Sequence, residues 1–182
     1  MCKKRFFAAL LVVLTMFMSA NVLAEGFYLS SEDVRGQIAN AQVYNSFGCN
    51  GKNISPQLSW KNAPQGTRSF AVTVYDPDAP TGSGWWHWVV FNIDSSVDTI
   101  KQGASNKAMP TGAIESFNSY GSKNFGGACP PAGDKPHRYI FTVYALDIEK
   151  IEQSAEARPE LIGFFLNRHA LAKASIMAYF GR

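Results

Sequence analysis

Apolar positions recur along the chain in two rhythms. Residues 69–75 alternate, with Phe70, Val72 and Val74 set against Ser69, Ala71 and Thr73, the period of a strand. Residues 88–93 are almost continuously apolar, which predicts a strand covered on both faces. Residues 139–146 predict a third strong strand, and weaker patterns predict strands at 25–35, 38–44, 58–60 and 174–180. The rhythm changes after Pro159, where Leu161, Ile162, Phe165 and Leu166 fall at three- and four-residue spacing and predict a helix over 159–170. Between 94 and 135, glycines and prolines break every pattern, and so long a stretch without one is uncommon in a domain unless it is functional. The chain therefore reads as mostly β with one or two helices.

The start of the chain follows a different logic. Lys3, Lys4 and Arg5 precede an apolar run from Phe6 to Phe17, and Val22-Leu23-Ala24 has the small-residue pattern of a signal-peptidase site. Residues 1–24 are expected to be a cleaved secretory signal, the protein to be periplasmic or secreted, and 25–182 to be one domain. The charge picture changes accordingly. Removing three of the 17 Lys+Arg leaves 14, equal to the 14 Asp+Glu, so nothing global calls for nucleic acid or an anionic membrane. Cys2 would leave with the signal. An exported chain that keeps Cys49 and Cys129 points to one disulfide between them. No second cysteine pair or nearby histidine makes a zinc site of them, and no metal or cofactor is expected.

Candidate chemistry gathers at the strand ends. Asp76-Pro77-Asp78-Ala79-Pro80 follows the alternating strand, and Trp85-Trp86-His87-Trp88 opens the continuous one. Pro77 and Pro80 lack amide donors and fix φ, so the acids lie in a rigid loop. His137, Arg138 and Tyr139 open the third strand. If the strands enter the sheet at the end where the Asp76 loop leaves it, Asp76, His87, His137 and Tyr139 converge on a small ligand pocket. The alternative is a polar turn between core strands, with His87 an ordinary interior histidine. His169, in the helix, reads as a surface or packing residue.

The order and spacing of Asp76-Pro77-Asp78-Ala79-Pro80, Trp86-His87-Trp88-Val89-Val90-Phe91-Asn92, Cys129-Pro130-Pro131 and Pro136-His137-Arg138-Tyr139 resemble the phosphatidylethanolamine-binding proteins, also called Raf kinase inhibitor proteins. With the signal and the cysteine pair, the chain is most similar to their exported bacterial YbhB/YbcL-type branch. The resemblance implies two packed, antiparallel-rich β-sheets with peripheral helices. It also implies a small anion pocket formed by Asp76, Trp85, His87, Gly127, Pro130, His137 and Tyr139, with Pro77, Asp78, Pro80 and Arg138 structural. Its ligands would be phosphate, a phospholipid head group or a phosphorylated residue. A protein partner and a homodimer are expectations from the family alone. Cys129 stands where the family often has glycine, so a disulfide would brace the pocket rim. The chain stops at Arg182, without the extra C-terminal helix of animal members, so a more open mouth is expected.

Donors for an anion are expected from both imidazoles, the Tyr139 hydroxyl and the amides around Gly126-Gly127, with Asp76 orienting one imidazole. A non-enzymatic binding or inhibitory module is the leading reading. A phosphoester hydrolase using Asp, His and Tyr is one alternative. A protease inhibitor or host-interaction factor acting through 102–124 is another.

Overall fold

The computed structural model describes residues 26–182, so the expected signal, 1–24, lies outside the described residues. Nine elements follow in order: β1 (Tyr28–Ser30), β2 (Leu58–Lys61), β3 (Ser69–Asp76), β4 (Trp85–Asp94), β5 (Thr99–Ile100), β6 (Ile114–Glu115), β7 (His137–Leu146), α1 (Pro159–His169) and β8 (Ala170–Phe180). They form two antiparallel sheets, one in the order β1-β2-β5 and one in the order β6-β4-β3-β7-β8.

The strong sequence patterns correspond to the central strands. Leu29, Leu58, Trp60 and Ile100 of the small sheet pack against Val72, Val74, Trp88, Val90, Phe141 and Val143 of the large one. The opposite face of the large sheet, with Ala71, Val89, Phe91 and Leu146, is covered by Ile162 and Leu166 of α1 and by Ile151. That second layer explains why 88–93 shows no polar alternation: Val90 faces one core and Val89 the other. α1 begins with Pro159 at its first turn, carries Glu160 there and Arg168 and His169 in its last turn, as the helix dipole favours.

The weaker patterns needed correction. The first strand covers only 28–30, because Ser31 Oγ accepts from the amides of Asp33 and Val34 and turns the chain. Residues 38–44 are not a strand. They hold a 3₁₀ turn at Asn40–Gln42, and their amides are shared among several segments, Ile38 donating to Tyr179 O and Tyr44 to Ala128 O. Three strands begin earlier than their apolar pattern, at Trp85, His137 and Ala170, because backbone pairing extends past the apolar runs, Trp85 pairing with Asp76, His137 with Phe180 and Ala170 with Leu146.

Candidate functional site

The end of the large sheet where β3 leaves and β4 and β7 begin encloses a cavity of about 200 Å³. Its wall includes Asp76, Trp85, His87, Tyr120, Pro130 and His137, with Phe47 and Pro131 at the mouth. This is below the roughly 300–1,000 Å³ of sites for drug-sized molecules, and suits one small group. A larger groove of about 410 Å³ lies between Phe117–Gly121 and the start of α1, but its charged residues, Glu156, Arg158 and Glu160, are all exposed. Buried titratable groups single out the smaller cavity.

Sheet register explains part of the convergence. Tyr75 pairs with Ile140, so one step along brings Asp76 level with Tyr139, with His137 one pleat beyond. The Asp76 Oδ1 accepts from the amides of Asp78 (2.8 Å) and Ala79 (3.1 Å), the free donors of a turn whose prolines have none. Its Oδ2 lies 2.8 Å from His137 Nδ1, and both side chains are almost fully buried. Nε2 of His137 faces the half-exposed Asp134 at 3.5 Å.

His87 arrives by a different device. Val74 pairs with Trp88 and Tyr75 with Trp86, so His87 is the extra residue of a β-bulge. The bulge lets His87 and Trp88, adjacent in sequence, both turn inward: Trp88 into the core and His87 edge-on to the core residue Tyr139, ring centres 5.1 Å apart. His87 Nδ1 lies 2.8 Å from the carbonyl oxygen of Gly126 and 3.1 Å from that of Gly127. Carbonyls only accept, so Nδ1 carries the proton. Burial pushes the imidazole down to about 4, against the smaller opposing pull of those carbonyls and of Asp76. The ring is therefore neutral near pH 7. Its Nε2 is buried and has no partner.

Two expected donors fail on this geometry. Neutral His87, already donating at Nδ1, has only a lone pair to offer at Nε2. The amides of Gly126 and Gly127 are spent on His87 O (2.8 Å) and Asn53 Oδ1 (2.7 Å). Gly127 sits behind the wall, where its carbonyl accepts from His87 and from the Tyr120 hydroxyl at 3.0 Å. A Cβ there would lie 2.4 Å from Gln42 O, so the close approach of two backbones requires glycine. Tyr139 packs behind His87, its hydroxyl near the Cys129 backbone but outside hydrogen-bond geometry. Burial raises the hydroxyls of both Tyr120 and Tyr139 above the usual range. The Trp85 indole N–H is turned toward the Tyr120 hydroxyl, also beyond hydrogen-bond reach.

Beside the cavity, Arg138 grips Asp78 with Nε and Nη2, both at 2.8 Å, and with its amide at 2.9 Å. These bonds, the guanidinium foremost, hold the Asp78 carboxyl well below the usual carboxylate range. The stabilisation is therefore present above the unfolded pKa of ~3.9 and fades as pH falls below it. Asp78→Ala is expected to cost about 1–2 kcal/mol at neutral pH, with Arg138 half exposed. The gap to the parent should narrow in urea titrations below about pH 4. A gap that widened with acid would contradict the pairing.

The rim is tied twice. Cys49 and Cys129 form a disulfide. The Arg182 guanidinium donates to Pro130 O at 2.6 Å and to Gly48 O at 2.8 Å, joining the same two loops. Tyr120 was missed by sequence reading, and so was Phe47. Tyr120 stacks on Tyr44 with ring centres 4.1 Å apart and meets His87 and Trp85 edge-on. Phe47, 68% exposed, has a positive φ of 55°. Neither residue carries a local signal, since each lies in a loop of irregular pattern. His169 makes a surface pair with Asp147 at 2.9 Å, away from the cavity.

A two-sheet β-fold with a small histidine-walled cavity at one sheet end defines a binding-protein class. The chain belongs to the phosphatidylethanolamine-binding protein family, whose model matches residues 34–181. It is 46% identical over 165 residues to the UPF0098 protein YbcL of Escherichia coli K12, covering 88% of this chain and 90% of that one. It is 47% identical over 156 residues to YbhB of the same organism, covering 84% and 98%. The crystal structure of E. coli YbcL superposes with a TM-score of 0.85 at 45% identity, covering 87% of this chain and 99% of the other. A homologue from Chlamydia trachomatis, CT736, gives 0.72 at 28% identity, covering 86% and 98%.

Proposed function

We propose that the protein is a non-enzymatic binding protein of the bacterial envelope whose cavity takes a phosphate-bearing group. The observation that carries this is the buried pair of histidines with different partners. His137 is held by Asp76 at 2.8 Å in the wall of a cavity sized for one small group. The apolar mouth, with Phe47 and Pro131, suits whatever the group is attached to. Envelope location is supported by the basic and apolar start of the chain and by the disulfide. A hydrolase is disfavoured because both oxygens of Asp76 are committed and the Tyr139 hydroxyl lies behind His87, and because the open lone pair at His87 Nε2 belongs to an imidazole that burial pushes down to about 4, a weak base near neutral pH.

Calorimetry with inorganic phosphate tests the reading. Saturable binding at one site is expected, weakened at least about tenfold by His137→Ala, the loss of one charge-assisted hydrogen bond. Absence of binding to the unaltered protein would refute it, as would binding indifferent to His137.

A further inference from the structure

His87 has one nitrogen fixed as a donor and the other left with nothing to accept from. Its Nδ1 proton is bound between the carbonyl oxygens of Gly126 and Gly127, at 2.8 and 3.1 Å. Nε2 lies on the opposite edge of a ring that is 2% exposed and lines the cavity, and it has no partner. No neighbouring side chain supplies Nε2 with a donor. Asp76 gives its oxygens to the turn amides and to His137. His137 faces Asp76 with one nitrogen and Asp134 with the other. The Tyr120 hydroxyl donates to Gly127 O, while the Trp85 and Tyr139 donors make no hydrogen bond at all. Buried polar atoms are nearly always satisfied, so an orphaned acceptor in a cavity wall marks the position of a donor brought by something else.

We propose that the cavity recognises its anion in a protonated form, the ligand's P–O–H donating to His87 Nε2. This rests on the phosphate-pocket reading and narrows it. Hydrogen phosphate and phosphomonoester monoanions have a proton to give and oxygens to accept. Sulfate has the same shape and no proton, and a phosphodiester carries none on its phosphate. Against those ligands the Nε2 lone pair would face an anionic oxygen with no hydrogen between them. A site with a buried polar group rejects the analogue that leaves it unpaired. The ligand class is thus a phosphomonoester end group or free phosphate, the two distinguished by pH. A phosphomonoester loses its remaining proton near pH ~6, while inorganic phosphate keeps one well above neutrality.

The experiment compares inorganic phosphate, sulfate, methyl phosphate and dimethyl phosphate by calorimetry on one preparation. At about pH 7, phosphate should bind at least about tenfold more tightly than sulfate, and methyl phosphate should exceed dimethyl phosphate at about pH 5. From about pH 5 to about pH 8 methyl phosphate should weaken relative to inorganic phosphate. The ratio isolates the ligand proton, because a change in charge at His137, with Asp76 and Asp134 around it, acts on both ligands alike. His87→Gln can turn an amide N–H toward the ligand, so the phosphate-to-sulfate ratio should collapse toward one. Nitrogen NMR of labelled histidine serves if that variant does not fold: Nε2 of His87 should be unprotonated in the free protein and shift with phosphate but not with sulfate. Equal binding of phosphate and sulfate, or a protonated Nε2 at neutral pH, overturns the inference and leaves the pocket reading standing. Failure of every anion to bind overturns both.

Discussion

Asp76→Ala is expected to be the most damaging single change at the site, costing about 3 kcal/mol or more in urea denaturation and eliminating phosphate binding. One carboxylate serves both the turn and the histidine. Removing it leaves the amides of Asp78 and Ala79 without acceptors and His137 Nδ1 facing an empty, buried space. Asp76→Asn separates the two duties. Its carbonyl can still accept from the turn, but its amide group meets His137 Nδ1 with N–H. The ring must then shift its proton to Nε2 or move. An intermediate loss of stability with a large loss of affinity is expected. A loss below about 1 kcal/mol for Asp76→Ala would mean that the turn and His137 hold without the carboxylate.

Removing the disulfide should divide stability from binding. Cys49 and Cys129 are 80 residues apart, and the chain-entropy model assigns a loop of that size about 4.5 kcal/mol. Cys49→Ser with Cys129→Ser should lower the unfolding free energy by an amount approaching that figure. Phosphate affinity of the folded protein should change by less than about tenfold, because the entropy acts on the unfolded chain while Arg182 still joins Gly48 to Pro130 in the native rim. Adding Arg182→Ala releases the second tie, and affinity should then fall. If the double serine variant already loses binding, the disulfide alone shapes the rim.

The rim shows why some of the site was legible in sequence and some was not. Cysteines are countable, and once Cys2 is assigned to the expected signal the remaining two have one pairing available, so the Cys49–Cys129 bond followed from arithmetic. The tie made by Arg182 to carbonyls 52 and 134 residues earlier follows from no local pattern. Tyr120 is similar. It lies in the glycine-rich 94–135 stretch, and its place depends on stacking with Tyr44 across two loops. Gly127 was expected to offer an amide, but its role is to be small, a requirement set by the backbone of Gln42 and Tyr44 passing against it.

Local composition by itself determined the central strands β3, β4 and β7, the helix α1 and the rigid acidic turn, because alternation, apolar runs and proline act within a few residues. The motif order also carried the family. What only the tertiary structure decided is the chemistry of the two histidines. Both open or nearly open a strand and look equivalent in sequence. A bulge in β4 turns His87 onto two backbone carbonyls, which fix its proton and leave its other nitrogen an acceptor. The register of β3 with β7 sets His137 beside a carboxylate instead. An imidazole's role is written by whatever faces its two nitrogens, and those partners come from segments distant in the chain.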